Sequence, residues 1–291
     1  MGASEAGGLG AAGGSAKAVD DAKDNRGRHF STLIRNVWVL GLTWTTAIVT
    51  LIGVGAQVGI AYGAIGAAVV LLIALIAVWL IASSRAANDF FDAYASGRSL
   101  TRTAGRATLP PVSALLQKGD NRYTDEMFDG TLPGGLVGSL SLYTYEEHTR
   151  DSKGNRQTTY YHFTVAVSQL PETAPFMSEL ALQRRVGFRF MDSAEDAFRK
   201  RQRVELESVI ADKRFEVFIG NRDDMNRARQ VFSPTFVVWL GEQAHEEIAF
   251  ELSAGALVVN RKGHLKTAQD LDRFCEDSAV VAQRILEEAT E

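Results

Sequence analysis

The sequence predicts an α+β protein with an N-terminal transmembrane helix hairpin, followed by a soluble α+β domain that has antiparallel hairpins and a long C-terminal helix. Three observations support this. Residues 36–84 contain no Asp, Glu, Lys, Arg or His. Farther on, two pairs of strand-like segments are each joined by a short polar turn, and the last stretch repeats apolar residues at helical spacing. Hairpins with helices between them favour α+β over a doubly wound sheet.

Residues 1–30 are predicted to form a disordered tail. They are rich in Gly and Ala and then in Asp, Lys and Arg. Aromatic and branched apolar side chains are too sparse there to build a core. The glycines of the GGLGAAGG run do not form a phosphate loop, because no strand precedes them and no Gly-Lys-Ser/Thr follows.

The uncharged stretch is too long for a single membrane crossing. As one helix, residues 37–82 would extend about 69 Å, whereas the apolar core of a bilayer is about 30 Å thick. We therefore predict two transmembrane helices within 31–85, at about 37–55 and 60–82. A cleaved signal peptide fits poorly, because the run far exceeds a signal core of about 7–15 residues. A single crossing with a re-entrant second segment is the other alternative.

The flanking charges predict the orientation. Arginines lie on both sides of the predicted hairpin, and the turn between its helices has no charge. The arginines are Arg26, Arg28 and Arg35 before the hairpin, and Arg85, Arg98, Arg102 and Arg106 after it. Because Lys and Arg near membrane ends favour the cytoplasm, we expect a bacterial plasma-membrane protein whose N-terminus and C-terminal domain are both cytoplasmic.

Gly55, Gly59 and Gly63 are spaced by four residues. Small residues at this spacing let transmembrane helices approach closely, so these glycines are candidates for transmembrane packing and for a homo-oligomer. Alternatively, they build the turn and pack the hairpin on itself.

The soluble domain, 86–291, is acidic. Residues 1–85 carry six Lys/Arg and four Asp/Glu, which leaves 25 basic and 31 acidic residues of the 31 and 35 in the chain. The domain therefore lacks the basic footprint of a nucleic-acid binder. Cys275 is the single cysteine of the chain, so no intramolecular disulfide is required and an oxidising compartment is not implied.

The elements of this domain follow from periodicity and turn residues. A helix is expected to continue through 88–97, and residues 113–117 to form a helical turn. Strands are predicted at 136–148, 157–169, 186–191, 214–219, 248–252 and 256–260, and helices at 193–208, 223–231, 234–244 and 267–288. A division into two lobes near 171–193 is an alternative to a single domain.

Several short apolar and turn motifs resemble a known family. They are LLQKGD at 115–120, YTYE at 143–146, LES at 206–208, RFEVF at 214–218, FSPTF at 232–236, FEL at 250–252 and GALV at 255–258. Over residues 85–290 the chain resembles a family of bacterial, largely actinobacterial, membrane proteins with an N-terminal two-helix hairpin and a soluble domain of unknown function. The resemblance implies this topology and, because the motifs are core and turn patterns, no functional residues.

Histidine spacing predicts no metal site. The His245-Glu246-Glu247 segment lacks the second histidine of a zinc-protease motif, and the other histidines show no ligand spacing. These are His29, His148, His162 and His264. We expect His148 and His162 to face each other across the first hairpin as a cross-strand polar pair rather than as ligands.

The densest basic cluster is Arg199, Lys200, Arg201 and Arg203. It is a candidate contact for lipid headgroups or a partner, together with Arg184 and Arg185. The alternative is a solvated helix face paired with neighbouring glutamates. Cys275 is expected to be a small buried residue, and the acidic pairs at 146–147 and 223–224 are given no catalytic role.

No nucleophile–base pair, phosphate loop or ligand cluster is evident in the sequence, and no cofactor is predicted. We therefore expect a membrane-anchored cytoplasmic binding or scaffolding module with a protein partner, rather than an enzyme. Two alternatives stay open: an enzyme whose site is assembled from scattered residues, and an accessory subunit of a membrane transport or envelope complex.

Overall fold

The computed structural model describes residues 60–150, 154–185, 201–206, 208, 213–245 and 247–291, together with positions 45, 46, 48, 49 and 52. The chain divides into two compact units, Met1–Tyr94 and Ala95–Glu291. The predicted tail, nearly all of the predicted helix at 37–55, the turn after it and the strand predicted at 186–191 lie outside the described residues.

Helix α1 spans Ile60–Gly97 and belongs to the first unit as far as Tyr94. An 18-residue window within its Ile65–Gly97 portion has a mean hydropathy of 3.0 and is not buried at all inside the protein. Among the described residues, α1 is the one helix long and apolar enough to cross a membrane. The continuation of this helix through 88–97 is confirmed.

The second unit contains a nine-stranded sheet in the part of the chain that the structure describes, and every neighbouring pair is antiparallel. The strands are β1 (Thr101–Ala107), β2 (Asn121–Thr131), β3 (Val137–Arg150), β4 (Arg156–Gln169), β5 (Glu179–Arg184), β6 (Arg201–Val204), β7 (Phe215–Gly220), β8 (Ala249–Ser253) and β9 (Ala256–Lys262). Their order is β1-β2-β3-β4-β9-β8-β5-β7-β6. The predicted α+β class is confirmed.

Four helices of this unit lie wholly within the described residues: α2 (Ala114–Gln117), α3 (Met225–Val231), α4 (Pro234–Glu242) and α5 (Ala268–Thr290); a 3₁₀ turn spans Pro171–Thr173. Each of these four α-helices begins at a side chain that accepts a backbone N–H two or three residues on, which is the usual N-cap arrangement. The caps are Ser113, Asp224, Ser233 and Thr267. The predicted helical turn at 113–117 and the long C-terminal helix are confirmed.

Sequence reasoning was wrong at β6 and did not find β1, β2 or β5. The helix predicted at 193–208 does not extend over Arg201–Val204, which pairs with β7 instead. Residues 179–184 (ELALQR) contain mainly good helix formers, yet they lie as β5 between β7 and β8. Tertiary pairing has overridden local propensity there. The strands on both sides of 171–193 belong to the same sheet.

A buried carboxylate joins the sheet to the segment that covers one of its faces. Glu251 on β8 is 2% exposed. It accepts hydrogen bonds from the backbone N–H of Ala114, at 2.7 Å, and of Leu115, at 3.1 Å. Leu115 packs in a core cluster with Tyr145 and Phe163 of the sheet. Glu251 thereby fixes the start of α2 over that core.

Candidate functional site

Three polar side chains converge around one threonine, Thr144, near the middle of β3. The Thr144 hydroxyl oxygen lies 2.9 Å from Asp125 Oδ2, 2.9 Å from His162 Nδ1 and 3.4 Å from His264 Nε2. The two imidazole rings meet edge to face, with centroids 4.7 Å apart. Residues far apart in the chain thus form one cluster, which we call the Asp–His–His cluster (Asp125, His162 and His264).

Register places two members of the group on one face of the sheet. Thr144 on β3 is the direct partner of His162 on β4. Asp125 lies at a β-bulge, because the pairing of β2 with β3 shifts between Thr124 and Glu126. A bulge re-aims the side chain at the irregular position, and here it brings the Asp125 carboxylate to Thr144.

The third member is positioned by a left-handed turn at the end of β9. Gly263 has a φ of +88°, a conformation that glycine adopts without steric cost. Its N–H donates to the carbonyl oxygen of His162 at 2.7 Å. Thr164 then donates to the Gly263 carbonyl at 2.9 Å and accepts from Leu265 N–H at 3.0 Å. His264 is held between these two anchored neighbours.

The tautomers of the two histidines set the direction of their hydrogen bonds. The Thr144 hydroxyl donates to Asp125, and the direction of its 2.9 Å contact with His162 Nδ1 depends on the His162 tautomer. His264 Nε2 lies 3.1 Å from the carbonyl oxygen of Tyr143 and donates to it. Burial lowers the pKa of His264, and the Tyr143 carbonyl and Asp125 offset this only in part. His264 is therefore neutral near pH 7.

The Asp–His–His cluster was not anticipated from the sequence, and one expectation about it is wrong. His148 and His162 do not face each other: the partner of His148 is Thr158, and that of His162 is Thr144. Each of the three cluster residues offers one ligand atom within 4.8 Å of the others. Their positions at 125, 162 and 264 show no ligand spacing, so only the bulge and the strand pairing reveal the cluster.

The basic cluster is only partly described. Arg199 and Lys200 lie outside the described residues, whereas Arg201 and Arg203 are on β6. Arg201 is largely buried and its Nε donates to Glu179 Oε2 at 2.8 Å. Arg203 is exposed. The helix face that the alternative interpretation required is absent at 201–204.

The flanking arginines are engaged within the domain. Arg184 lies 3.6 Å from Glu247, and Arg185 lies 3.8 Å from Glu216. These contacts are ion pairs of the domain itself. They weaken the interpretation of Arg184 and Arg185 as a lipid-binding surface.

The remaining candidate residues from the sequence have the following positions in the structure. Gly63 lies in α1, whereas Gly55 and Gly59 lie outside the described residues. Cys275 is fully buried on α5, as expected. Asp224 caps α3 through Asn226 N–H at 2.8 Å, which is a structural role.

A groove of about 330 Å³ lies beside α4. Its walls are mainly apolar, with a charged side chain of each sign. They comprise Leu206, Phe232, Pro234, Val237 and Val238, with Glu205, Ser208 and Arg229. Val238 is 51% exposed, so the groove opens to solvent at this residue.

A smaller, polar cavity of about 110 Å³ lies against α5. Its charged and polar lining includes His245, Arg261, Arg273 and Asp277. Burial raises the pKa of the Asp277 carboxyl, although the backbone N–H of His245 partly offsets this.

Comparison with known proteins finds no family model, no curated protein and no solved structure that matches the chain. The resemblance to a family of bacterial membrane proteins therefore stays a prediction that rests on the quoted motifs alone.

Proposed function

We propose that the protein is a membrane-anchored binding or scaffolding module, held by a transmembrane helix hairpin with its nine-stranded domain on the cytoplasmic face. The observation that supports anchoring is the exposure of α1. Eight large apolar side chains along it are 47–62% exposed. They are Ile65, Val69, Leu72, Ile73, Ile76, Trp79, Leu80 and Ile81.

The free energy of this exposure favours a membrane environment. Removing one such side chain from water contributes about 1.5–3 kcal/mol when burial is complete. Since these side chains are roughly half exposed, the eight together contribute on the order of 6–12 kcal/mol on insertion. The helix also has no charged residue before Arg85, so insertion would bury no charge.

The hairpin and its orientation follow from chain length and charge. Residues 37–55 supply a second apolar segment of suitable length, and arginines flank the hairpin at both ends. With the resemblance to bacterial membrane proteins, this supports a location in a bacterial plasma membrane with a short external turn.

The groove beside α4 supports a binding function for the domain. Its volume, about 330 Å³, falls in the usual range of ligand-binding clefts, about 300–1,000 Å³. The polar cavity against α5 is about 110 Å³ and is too small for a typical substrate. We therefore favour a binding module over an enzyme that uses this polar cavity.

Cysteine accessibility in intact cells tests the topology. Gln57→Cys and Ser152→Cys are made separately in a Cys275→Ser background and treated with an impermeant maleimide. We expect Gln57→Cys to label and Ser152→Cys to label only after the cells are permeabilised. The unsubstituted chain is the control, because its thiol is fully buried.

Labelling of Ser152→Cys in intact cells would place the domain outside the membrane and refute the cytoplasmic orientation. An envelope function would then become the leading hypothesis. Recovery of the full chain in the soluble fraction without detergent would refute anchoring itself.

A site-specific photo-crosslinker at Val238 tests the groove. We expect an adduct from this position in cells and none from Val137, an equally suitable control because it is 68% exposed but not part of the groove. Equal crosslinking from both positions would show that the groove has no special role.

A further inference from the structure

We propose that the Asp–His–His cluster (Asp125, His162 and His264) binds a divalent transition-metal ion, with Zn²⁺ as the best match. The inference is independent of the membrane anchor and concerns a site that the proposed binding function does not require. It depends on the donor atoms, their separations and their access to solvent.

The separations suit a tetrahedral ion. Two ligand atoms about 2.0–2.1 Å from a tetrahedral Zn²⁺ are about 3.3 Å from each other. Asp125 Oδ2 and His264 Nε2 are already 3.7 Å apart. The three donor atoms all lie within 4.8 Å of one another, so side-chain rotations that move an atom by about 1 Å would close the site.

The donor set indicates the class of ion. Imidazole nitrogens suit zinc, copper, iron and nickel, whereas magnesium and calcium prefer an all-oxygen shell. Two imidazoles and one carboxylate leave one tetrahedral position open, as in catalytic rather than structural zinc sites. The Asp125 side chain is 47% exposed and His162 is exposed, so water can occupy the open position.

The surroundings orient the ligands. The Thr144 hydroxyl donates to the same oxygen of Asp125 that approaches His264. Such outer contacts fix the direction of a carboxylate ligand. For His264 Nε2 to coordinate, it must carry no hydrogen, and the ring must turn away from the Tyr143 carbonyl oxygen, which lies 3.1 Å from it.

Direct titration of the full chain in detergent, purified without a polyhistidine tag, tests the site. Zn²⁺ binding is measured by competition with a chromophoric chelator, and Co²⁺ binding by its visible absorption spectrum. We expect one high-affinity equivalent per chain. Asp125→Asn, His162→Gln and His264→Gln should each weaken it by roughly tenfold or more.

His148→Gln is the matched control. His148 lies on the same hairpin and is hydrogen-bonded to Thr158 rather than to the cluster, so its variant should bind as the unchanged protein does. Failure of the unchanged protein to bind one equivalent would overturn the proposal. Equal weakening by His148→Gln and the three ligand variants would overturn it too.

X-ray absorption of the zinc-loaded unchanged protein provides a test that needs no variant to fold. We expect a first shell of nitrogen and oxygen at about 2.0–2.1 Å with the outer-shell pattern of two imidazoles. A shell containing sulfur, or one imidazole or none, would refute the assignment.

Discussion

Replacing Glu251 tests whether one buried carboxylate holds helix α2 on the sheet. Glu251 accepts from two backbone N–H groups, those of Ala114 and Leu115, through its two different oxygens. Glu251→Ala removes both acceptors. Glu251→Gln keeps one acceptor oxygen but presents an amide N–H₂ to the other backbone N–H, so it removes only one of the two acceptors.

The size of the effect follows from the burial of the two donors. Leu115 is fully buried, so leaving its N–H without an acceptor costs about 1–3 kcal/mol. Ala114 is half-buried, and water can replace its partner at a cost of about 1 kcal/mol or less. We expect Glu251→Ala to lower the free energy of unfolding by about 1–4 kcal/mol, which corresponds to a Tm decrease of roughly 2–16 °C.

Hydrogen–deuterium exchange resolves the mechanism. Peptides covering 112–118 should exchange faster in Glu251→Ala than in the unchanged protein, with Glu251→Gln between them. Glu172→Gln, an exposed glutamate of the same domain, is the control. If Tm falls while exchange at 112–118 stays unchanged, the carboxylate does not act by holding α2, and the reasoning is wrong.

The same residue predicts a pH dependence. Burial raises the pKa of the Glu251 carboxyl above its ordinary value near 4.5, and the two N–H donors and Arg201 offset this only in part. The folded state therefore binds a proton that the unfolded state releases, so this contribution to stability is lost as pH rises through the raised pKa. We expect the Tm of the unchanged protein to fall more with rising pH than that of Glu251→Gln, and an identical slope would contradict this.

Three further changes test the sheet. Gly138→Ala would place a Cβ atom 2.2 Å from the Val167 carbonyl oxygen, so we expect the free energy of unfolding to fall by about 3 kcal/mol or more, seen as a lower Tm or no folded protein. At about 2–4 °C per kcal/mol, a Tm within 2 °C of that of the unchanged protein would contradict the close approach. Asp223→Ala removes the carboxylate that accepts four hydrogen bonds, from the backbone N–H groups of residues 178, 179 and 220 and from the Ser178 hydroxyl. Thermal unfolding should show a loss of about 2–4 kcal/mol. Arg102→Gln removes the guanidinium that binds the Glu126 carboxylate through two hydrogen bonds, at 2.7 and 2.6 Å. Because both side chains are mostly buried, we expect the free energy of unfolding to fall by about 3 kcal/mol. Adding Glu126→Gln to this variant should restore part of the loss.

The spacing of apolar residues predicts an element correctly where the local sequence favours the same secondary structure that the folded domain requires. The β3–β4 and β8–β9 hairpins have alternating or branched residues around short polar turns, and α5 has a clear apolar stripe, so all three could be found from the sequence. The stretch 179–184 could not, because its residues favour a helix and only the flanking strands β7 and β8 make it a strand. At β6 the same conflict produced a wrong helix.

The candidate metal site depends on features that one-dimensional spacing does not contain. Asp125 reaches the site through a bulge, and His264 reaches it through a glycine turn. His162 is placed by pairing between strands rather than by its neighbours in the chain. A motif search assumes ligands at short fixed intervals, whereas these three are 37 and 102 residues apart.

The strand order has a consequence for how the domain is made. The β8–β9 hairpin, residues 249–262, lies between β4 and β5, although it is synthesised after both. On the ribosome, β1–β4 and β5–β7 can each pair internally, but the edges of β4 and β5 stay open until residue 262 has emerged. Open edges invite pairing with other chains, and such late, distant closure slows folding. Nascent chains that stall before β8 should therefore be the species that chaperones bind and proteases remove.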